Sequence, residues 1–148
     1  FSDLIQEVLT ELEYLAADKQ IKIVNEITGS YPVRADPKRI FQVLGNLLTN
    51  AVKFTSAEGV ITIKSETSAE GFLIQMEDTG IGMPESTLDK LFRKHEKIST
   101  VGTDGERGTG LGLLLCQELL QAHGTEIQVT SELNEGSCFS FMLPWWED

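Results

Sequence analysis

The sequence predicts an α/β (α+β) sandwich of two layers, a mixed and mostly antiparallel sheet covered on one face by helices. Three observations lead there. Segments with apolar residues at helical spacing are interspersed with segments of period two. Two pairs of the period-two segments flank short glycine-bearing turns, the pattern of hairpins. The 148 residues, 41% of them hydrophobic, suit one domain with its own core, and no repeat, linker or low-complexity tract divides them.

The elements follow in order. Leu4, Ile5, Val8, Leu9, Leu12 and Leu15 place an amphipathic helix over residues 1–17. Ile21, Ile23 and Ile27 alternate with polar residues in a strand that ends at Gly29-Ser30, and 31–35 reads as a short extended piece. Asp36-Pro37 starts a second helix: a carboxylate caps free N–H groups, and a proline there loses nothing by lacking its own. That helix buries Ile40, Val43, Leu44, Leu47, Leu48 and Ala51, runs to about Phe54 and breaks at 57–59. Strands over 60–64 and 72–76 are joined by a turn near 69–71, giving a hairpin. Gly80 to Pro84 is a tight turn before a short helix over 85–92. Residues 93–108 are polar and aperiodic, and a loop that long in a compact domain is functional or disordered. Gly110 opens an apolar helix to about His123, with Gly124 as its cap. Strands over 127–129 and 138–143 close the chain around Asn134-Glu135-Gly136.

Composition excludes several classes of partner. The net charge of −11 argues against a nucleic-acid groove or an anionic membrane surface, which both need clustered Lys and Arg. No apolar run approaches the ~20 residues of a membrane span, and no basic-then-apolar leader opens the chain. A soluble, cytoplasmic piece is expected, with a longer parent either anchored or free. Cys116 and Cys138 lie far apart in apolar segments and read as free thiols of a reducing compartment. A polyphosphate ligand would need local devices: backbone N–H groups, a metal ion and a few placed cations.

Such devices are present. In Asn46-Leu-Leu-Thr-Asn50-Ala-Val-Lys53-Phe54-Thr55, the two amides lie one helical turn apart on one face, with Lys53 nearly in line. An amide oxygen is a hard, neutral ligand suited to Mg²⁺, and Lys is a point charge suited to phosphate; amide caps or interhelical hydrogen bonds would use the same residues. Glu77-Asp78-Thr79-Gly80-Ile81-Gly82-Met83-Pro84 follows a strand. An Asp there can offer its carboxylate to an exocyclic amine, while the glycines admit a flat ring close to the backbone; a plain glycine turn with an Asx bond is the alternative. Gly105-Glu106-Arg107-Gly108-Thr109-Gly110-Leu111-Gly112 opens a helix, where exposed N–H groups and the positive dipole end make an anion site. It has no Gly-Lys-Ser/Thr and is no P-loop, and Leu113 with a long loop before it defeats the Rossmann spacing. Glu135-Gly136-Ser137 through Pro144 alone is merely a strand after a turn.

In this order the motifs resemble the N, G1, F, G2 and G3 boxes of the histidine-kinase ATPase family. Its wider superfamily includes type II topoisomerases, mismatch-repair ATPases and heat-shock chaperone ATPases. The resemblance spans about residues 1–144 and implies the Bergerat α/β sandwich, a single ATP-binding catalytic domain over 1–148 with its motif-bearing core at about 36–144, and a mobile lid over about 93–108. It implies that Asn50 ligates Mg²⁺ with Asn46 on or near the ion, that Lys53 meets phosphates, and that Phe54 walls the nucleotide pocket. By the same resemblance, Asp78 accepts from the adenine amine, and Gly80, Gly82 and Met83 shape the adenine pocket. Gly108, Gly110, Leu111 and Gly112 form the phosphate turn, Thr109 within it and Arg107 in the lid are further nucleotide-binding residues, and Ser137 places a hydroxyl near the adenine. Phe92 matches the F box, and Lys97 stands where a lid Arg often reaches phosphate.

The family's function is then implied. The domain donates the γ-phosphate of ATP to a histidine on a separate dimerisation domain, and a response regulator takes it onward. The fragment alone is expected to be monomeric and unable to phosphorylate itself, the parent a homodimer. There are departures. His95 replaces the second F-box phenylalanine, which puts lid docking in doubt, and Thr125 replaces the second glycine after Gly124. His95-Glu96 echoes a phosphoacceptor motif but lacks flanking helices and follows the N and G1 boxes. His123 reads as a cap or surface residue. The hydrolysing cousins carry a Glu where Asn46 stands, so little intrinsic ATP hydrolysis is expected. An anti-sigma-type serine kinase would usually carry that Glu; a non-catalytic ATP-binding docking module is the reading from another class.

Overall fold

The computed structural model describes residues 2–27, 29, 31–90 and 112–147. Helix α1 spans Ser2–Asp18. It ends where Gln20 adopts the left-handed conformation at φ 60, letting the Ile21 N–H return to the Ala16 carbonyl at 2.8 Å, the closure usually given to glycine. Strand β1, Lys22–Asn25, is shorter than the expected segment. Helix α2, Pro37–Phe54, starts as expected: the Asp36 side chain accepts from the Lys38 and Arg39 N–H groups. Of residues 31–35, only Val33 pairs, in a single bridge with Trp145.

Strands β2, Val60–Thr67, and β3, Phe72–Asp78, form the expected hairpin and run beyond the expected ends. The short helix α3, Glu85–Lys90, follows. Helix α4 is described over Gly112–Ala122, so an opening at Gly110 lies outside the described residues, as do Phe92 and the whole lid. Gly124 caps α4 at φ 76. Strands β4, Gln128–Glu132, and β5, Gly136–Leu143, make the closing hairpin, with Asn134 in the left-handed region at φ 68.

The sheet order is β1-β2-β3-β5-β4. Only β1 and β2 run parallel; the other pairs are antiparallel. One face is apolar because its strands place Ile61, Ile63, Phe72, Ile74, Met76, Phe139, Phe141 and Leu143 on the same side, all buried. Buried residues of α1, α2 and α4 join them in one core. Burying a side chain of this size gives roughly 1.5–3 kcal/mol, so this face fixes the register. At one end of the sheet Tyr31 stacks on Phe72 at 4.4 Å and Trp145 lies 6.1 Å from Phe72. The opposite end, where β3 finishes at Asp78, is polar. No helix among the described residues is long and apolar enough to cross a membrane. Both cysteines are free, with Cys116 buried and Cys138 half-buried.

Candidate functional site

The predicted residues of α2 sit where its buried face gives way to solvent. Asn46, Asn50, Lys53 and Phe54 are all half-buried, beside the fully packed Val43, Leu44, Leu47 and Leu48. The Lys53 ammonium lies 4.8 Å from the centre of the Phe54 ring, an attraction that holds its charge near the helix end.

A helix leaves its last four carbonyls without helical partners, and in α2 each finds another. The Thr55 hydroxyl donates to the Ala51 carbonyl at 2.7 Å. The Thr55 N–H reaches the Val52 carbonyl, and the buried Lys19 ammonium donates to Val52 at 2.9 Å and to Lys53 at 3.0 Å. The Ile81 N–H donates to the Phe54 carbonyl at 3.0 Å. Two motifs far apart in sequence are thereby tied together. Gly80 is required there, because a Cβ on it would overlap the Phe54 carbonyl oxygen.

Asp78 is the last residue of β3 and is 9% exposed. Its Oδ1 accepts the Gly80 N–H at 2.9 Å, and its carboxylate also accepts the Ser137 N–H. Burial pushes its carboxyl above the usual aspartate range, more than the two N–H groups pull it down. Two oxygens offer about four lone-pair sites. Accepting capacity therefore remains for a donor brought to this end of the sheet.

The Gly80–Met83 loop is held on its far side by the last hairpin. The Met83 N–H donates to the Ser131 hydroxyl at 2.8 Å, and the Asn134 N–H donates to the Ile81 carbonyl at 2.6 Å. Gly82 has φ 68, and a Cβ on it would overlap the Glu132 carbonyl. A Cβ on Gly136 would likewise overlap the Asp78 carbonyl. Ser137 stands opposite Asp78 in the β3–β5 register, so both side chains point from the same face of the sheet.

Helix α4 joins through Cys116. Its thiol donates to the Val43 carbonyl at 3.8 Å and takes a hydrogen bond from the Asn46 amide, while burial pushes its pKa up to about 11. The thiol stays neutral and serves packing. Gly112, the exposed first residue of α4, is one helical turn before Cys116 and so lies on the side that meets α2. His123 is a tie between elements: one ring nitrogen meets the Leu119 carbonyl at 2.8 Å and the other accepts the Asp36 N–H at 3.0 Å.

The structure thus brings Asn46, Asn50, Lys53, Phe54, Asp78, Gly80, Gly82, Met83, Gly112 and Ser137 onto elements bonded to one another. Phe92, Lys97, Arg107, Gly108, Thr109, Gly110 and Leu111 lie outside the described residues. Sequence reasoning missed Lys19 and Ser131, and gave no role to Thr55, whose partners Ala51 and Val52 lie in the same helix. Lys19 and Ser131 act on partners distant in sequence, and no local pattern marks them.

Comparison with known proteins agrees with this layout. Residues 35–147 match the family described as histidine kinase-, DNA gyrase B-, and HSP90-like ATPase. The adaptive-response sensory kinase SasA of Synechococcus elongatus is 38% identical over 146 residues, 97% of this chain but 37% of SasA. The chain therefore spans little more than a third of that relative. The catalytic domain of histidine kinase ThkA, in a nucleotide-free form, superposes with a TM-score of 0.82 at 32% identity, covering 97% of this chain and 91% of that one. ThkA in complex with the response regulator protein TrrA aligns with a TM-score of 0.78 at 28% identity, over 99% of this chain and 40% of that one. Full-length ShkA in complex with AMPPNP aligns with a TM-score of 0.80 at 29% identity, over 99% of this chain and 30% of that one. The chain belongs to the histidine kinase-, DNA gyrase B- and HSP90-like ATPase family, and within it to the ATP-binding catalytic domains of sensor histidine kinases.

Proposed function

We propose that this domain binds Mg·ATP between α2, the Gly80–Met83 loop and the start of α4, and presents the γ-phosphoryl group to a histidine on another domain of the same parent. The observation that carries this reading is the buried Asp78 carboxylate, fixed by two N–H groups and bonded through its loop to the helix of Asn46, Asn50 and Lys53. Asp78 accepts the exocyclic amine of adenine. Gly80, Gly82 and Met83 line the ring with backbone, and Phe54 closes one side. Gly108 to Gly112 supply the turn whose N–H groups meet phosphate, Phe92 belongs to the F box, Lys97 and Arg107 belong to the lid over 93–108, and Lys53 adds a positive charge.

Magnesium fits the donor set. Among the described residues no three His, Cys, Asp or Glu side chains gather to hold a metal. The oxygens α2 does offer are the neutral amides of Asn50 and Asn46, and Mg²⁺ is commonly held by few protein ligands with waters and phosphates completing the shell. The ion would supply charge neutralisation on the triphosphate.

In the transfer the bond between the γ-phosphorus and the β–γ bridging oxygen breaks, ADP leaves, and an imidazole nitrogen bonds to the phosphorus while its ring gives up a proton. Such reactions depend on positioning and charge neutralisation more than on covalent help from the protein. The acceptor histidine would come from a dimerisation domain and a response regulator would receive the group next, the parent being a cytoplasmic-facing homodimer. Mixing this chain with a dimerisation-and-histidine domain and labelled ATP tests the reading. Acid-labile, base-stable phosphate on the added domain is expected; acid-stable phosphoserine, or none, contradicts it.

A further inference from the structure

One row of the sheet runs Asp78, Ser137, Ser131 across β3, β5 and β4, since Asp78 pairs with Ser137 and Ser137 with Ser131. Residues directly opposite in antiparallel strands share a face, with Cβ atoms about 4.5–5.5 Å apart. The row therefore sets one carboxylate and two hydroxyls side by side. Ser131 Oγ has three neighbours: the Met83 N–H at 2.8 Å, the Gly136 carbonyl at 3.0 Å and Ser137 Oγ at 2.8 Å.

A hydroxyl has one hydrogen and two lone pairs. The Met83 N–H can only donate, so it takes one lone pair of Ser131. The Gly136 carbonyl can only accept, so it takes the hydrogen. What Ser131 has left toward Ser137 is a lone pair, and the hydrogen between the two serines must come from Ser137. Ser137, its hydrogen spent, then has only lone pairs to offer beside Asp78.

We propose that Ser131 is a specificity-determining positioning residue, which makes Ser137 an acceptor so that the Asp78–Ser137 pair presents acceptors alone to a purine. This rests on the reading of Asp78 as the purine contact. An acceptor-only edge matches the 6-amino group of adenine. It opposes the 6-carbonyl of guanine, which would meet lone pairs with lone pairs. Left to rotate, Ser137 could turn its hydrogen outward and satisfy that carbonyl, so a site with Asp78 and Ser137 but no Ser131 would discriminate less. A water lodged between the pair and the base would inherit the same polarity, because its two hydrogens would be drawn to the acceptors and its oxygen would face the ligand.

The test is calorimetric titration of the domain with Mg·ATP and Mg·GTP, comparing the ratio of the two affinities among variants. Ser131→Ala is expected to reduce the preference for ATP about tenfold, the worth of one hydrogen-bond mismatch. Ser131→Thr, which keeps the hydroxyl, is expected to retain the wild-type ratio. In a Ser137→Ala background, Ser131→Ala should leave the ratio where Ser137→Ala alone puts it. Should Ser131→Ala not fold, Ser131→Cys carries the same prediction, since a thiol is a weak acceptor for the Ser137 hydrogen. Equal loss of ATP and GTP affinity with the ratio intact would show that Ser131 merely supports the loop, and would overturn the proposal. So would a Ser131 effect that persists without the Ser137 hydroxyl. If instead Asp78→Ala leaves the preference for ATP whole, the purine contact itself is misplaced, a failure distinct from that of Ser131.

Discussion

The Ile81 N–H donates to the Phe54 carbonyl at 3.0 Å, so the loop after Asp78 and the end of the Asn50 helix are one bonded unit. The adenine and phosphate contacts proposed above would therefore share a frame. A strain placed at this junction should disturb both.

Glycine substitutions at two sites should separate sharply. A Cβ at Gly80 overlaps the Phe54 carbonyl oxygen and approaches Asp78 Oδ1 at 2.7 Å, and backbone cannot move aside as a side-chain tip can. Gly80→Ala should cost about 1–3 kcal/mol by overpacking and weaken nucleotide binding. At Gly112 an added Cβ meets nothing within 4 Å, so Gly112→Ala should leave the melting temperature unchanged or raised. Thermal unfolding of the two variants checks this, and equal losses would contradict it.

Lys19, the residue after α1, supports the same helix end. It is 8% exposed and spans the Val52 and Lys53 carbonyls. Lys19→Met removes both donations and should lower stability by about 1–3 kcal/mol, with Lys19→Arg recovering part. Urea titrations measure the loss, and a methionine variant as stable as wild type would defeat the assignment.

Asp78 should leave a signature in the pH dependence of folding. Its carboxyl is raised above the ordinary 3.8, chiefly by burial. A folded state that holds the proton more tightly than the unfolded one gains stability at low pH, and loses that gain as pH rises through the raised value. Asp78→Asn lacks this titration. It should therefore gain on wild type as pH climbs from below 3.8 toward neutrality, with any lost N–H bond entering as a constant offset. Urea midpoints at a series of pH values give the difference, and a flat or reversed trend would refute the assignment of burial as the dominant cause.

Hydrolysis should stay slow. Asn46 is turned toward Cys116 through its amide and has no group able to take a proton from water at neutral pH. Steady-state phosphate release from the isolated domain should remain near background. Turnover at the rate of a true ATPase would require another base.

Much of this was legible along the chain because the signals are local. Asp36-Pro37 dictates a helix start by capping chemistry alone, and the alternation through Ile61, Ile63, Ile74 and Met76 dictates which sheet face is buried. The placement of Asn46, Asn50 and Lys53 on one helix face follows from helical geometry. The strand ends were less legible: β5 begins at Gly136 because that glycine pairs with Glu132 of β4 across the closing turn, a partner that local sequence does not mark. Lys19 and Ser131 were invisible for a related reason. A lysine after an amphipathic helix and a serine on an exposed edge strand are ordinary residues until the fold sets Val52 beside one and Met83 beside the other.

The most direct measurement is calorimetric titration of the domain with ATP, with and without Mg²⁺, for the wild type, Asn50→Ala and Asp78→Ala. Wild type should bind more tightly with the ion, Asn50→Ala should lose that increment, and Asp78→Ala should lose affinity by about tenfold or more with either form, as a purine amine loses its buried acceptor. Undiminished binding by Asp78→Ala, or a magnesium increment untouched in Asn50→Ala, would mean that the triphosphate and its base lie elsewhere.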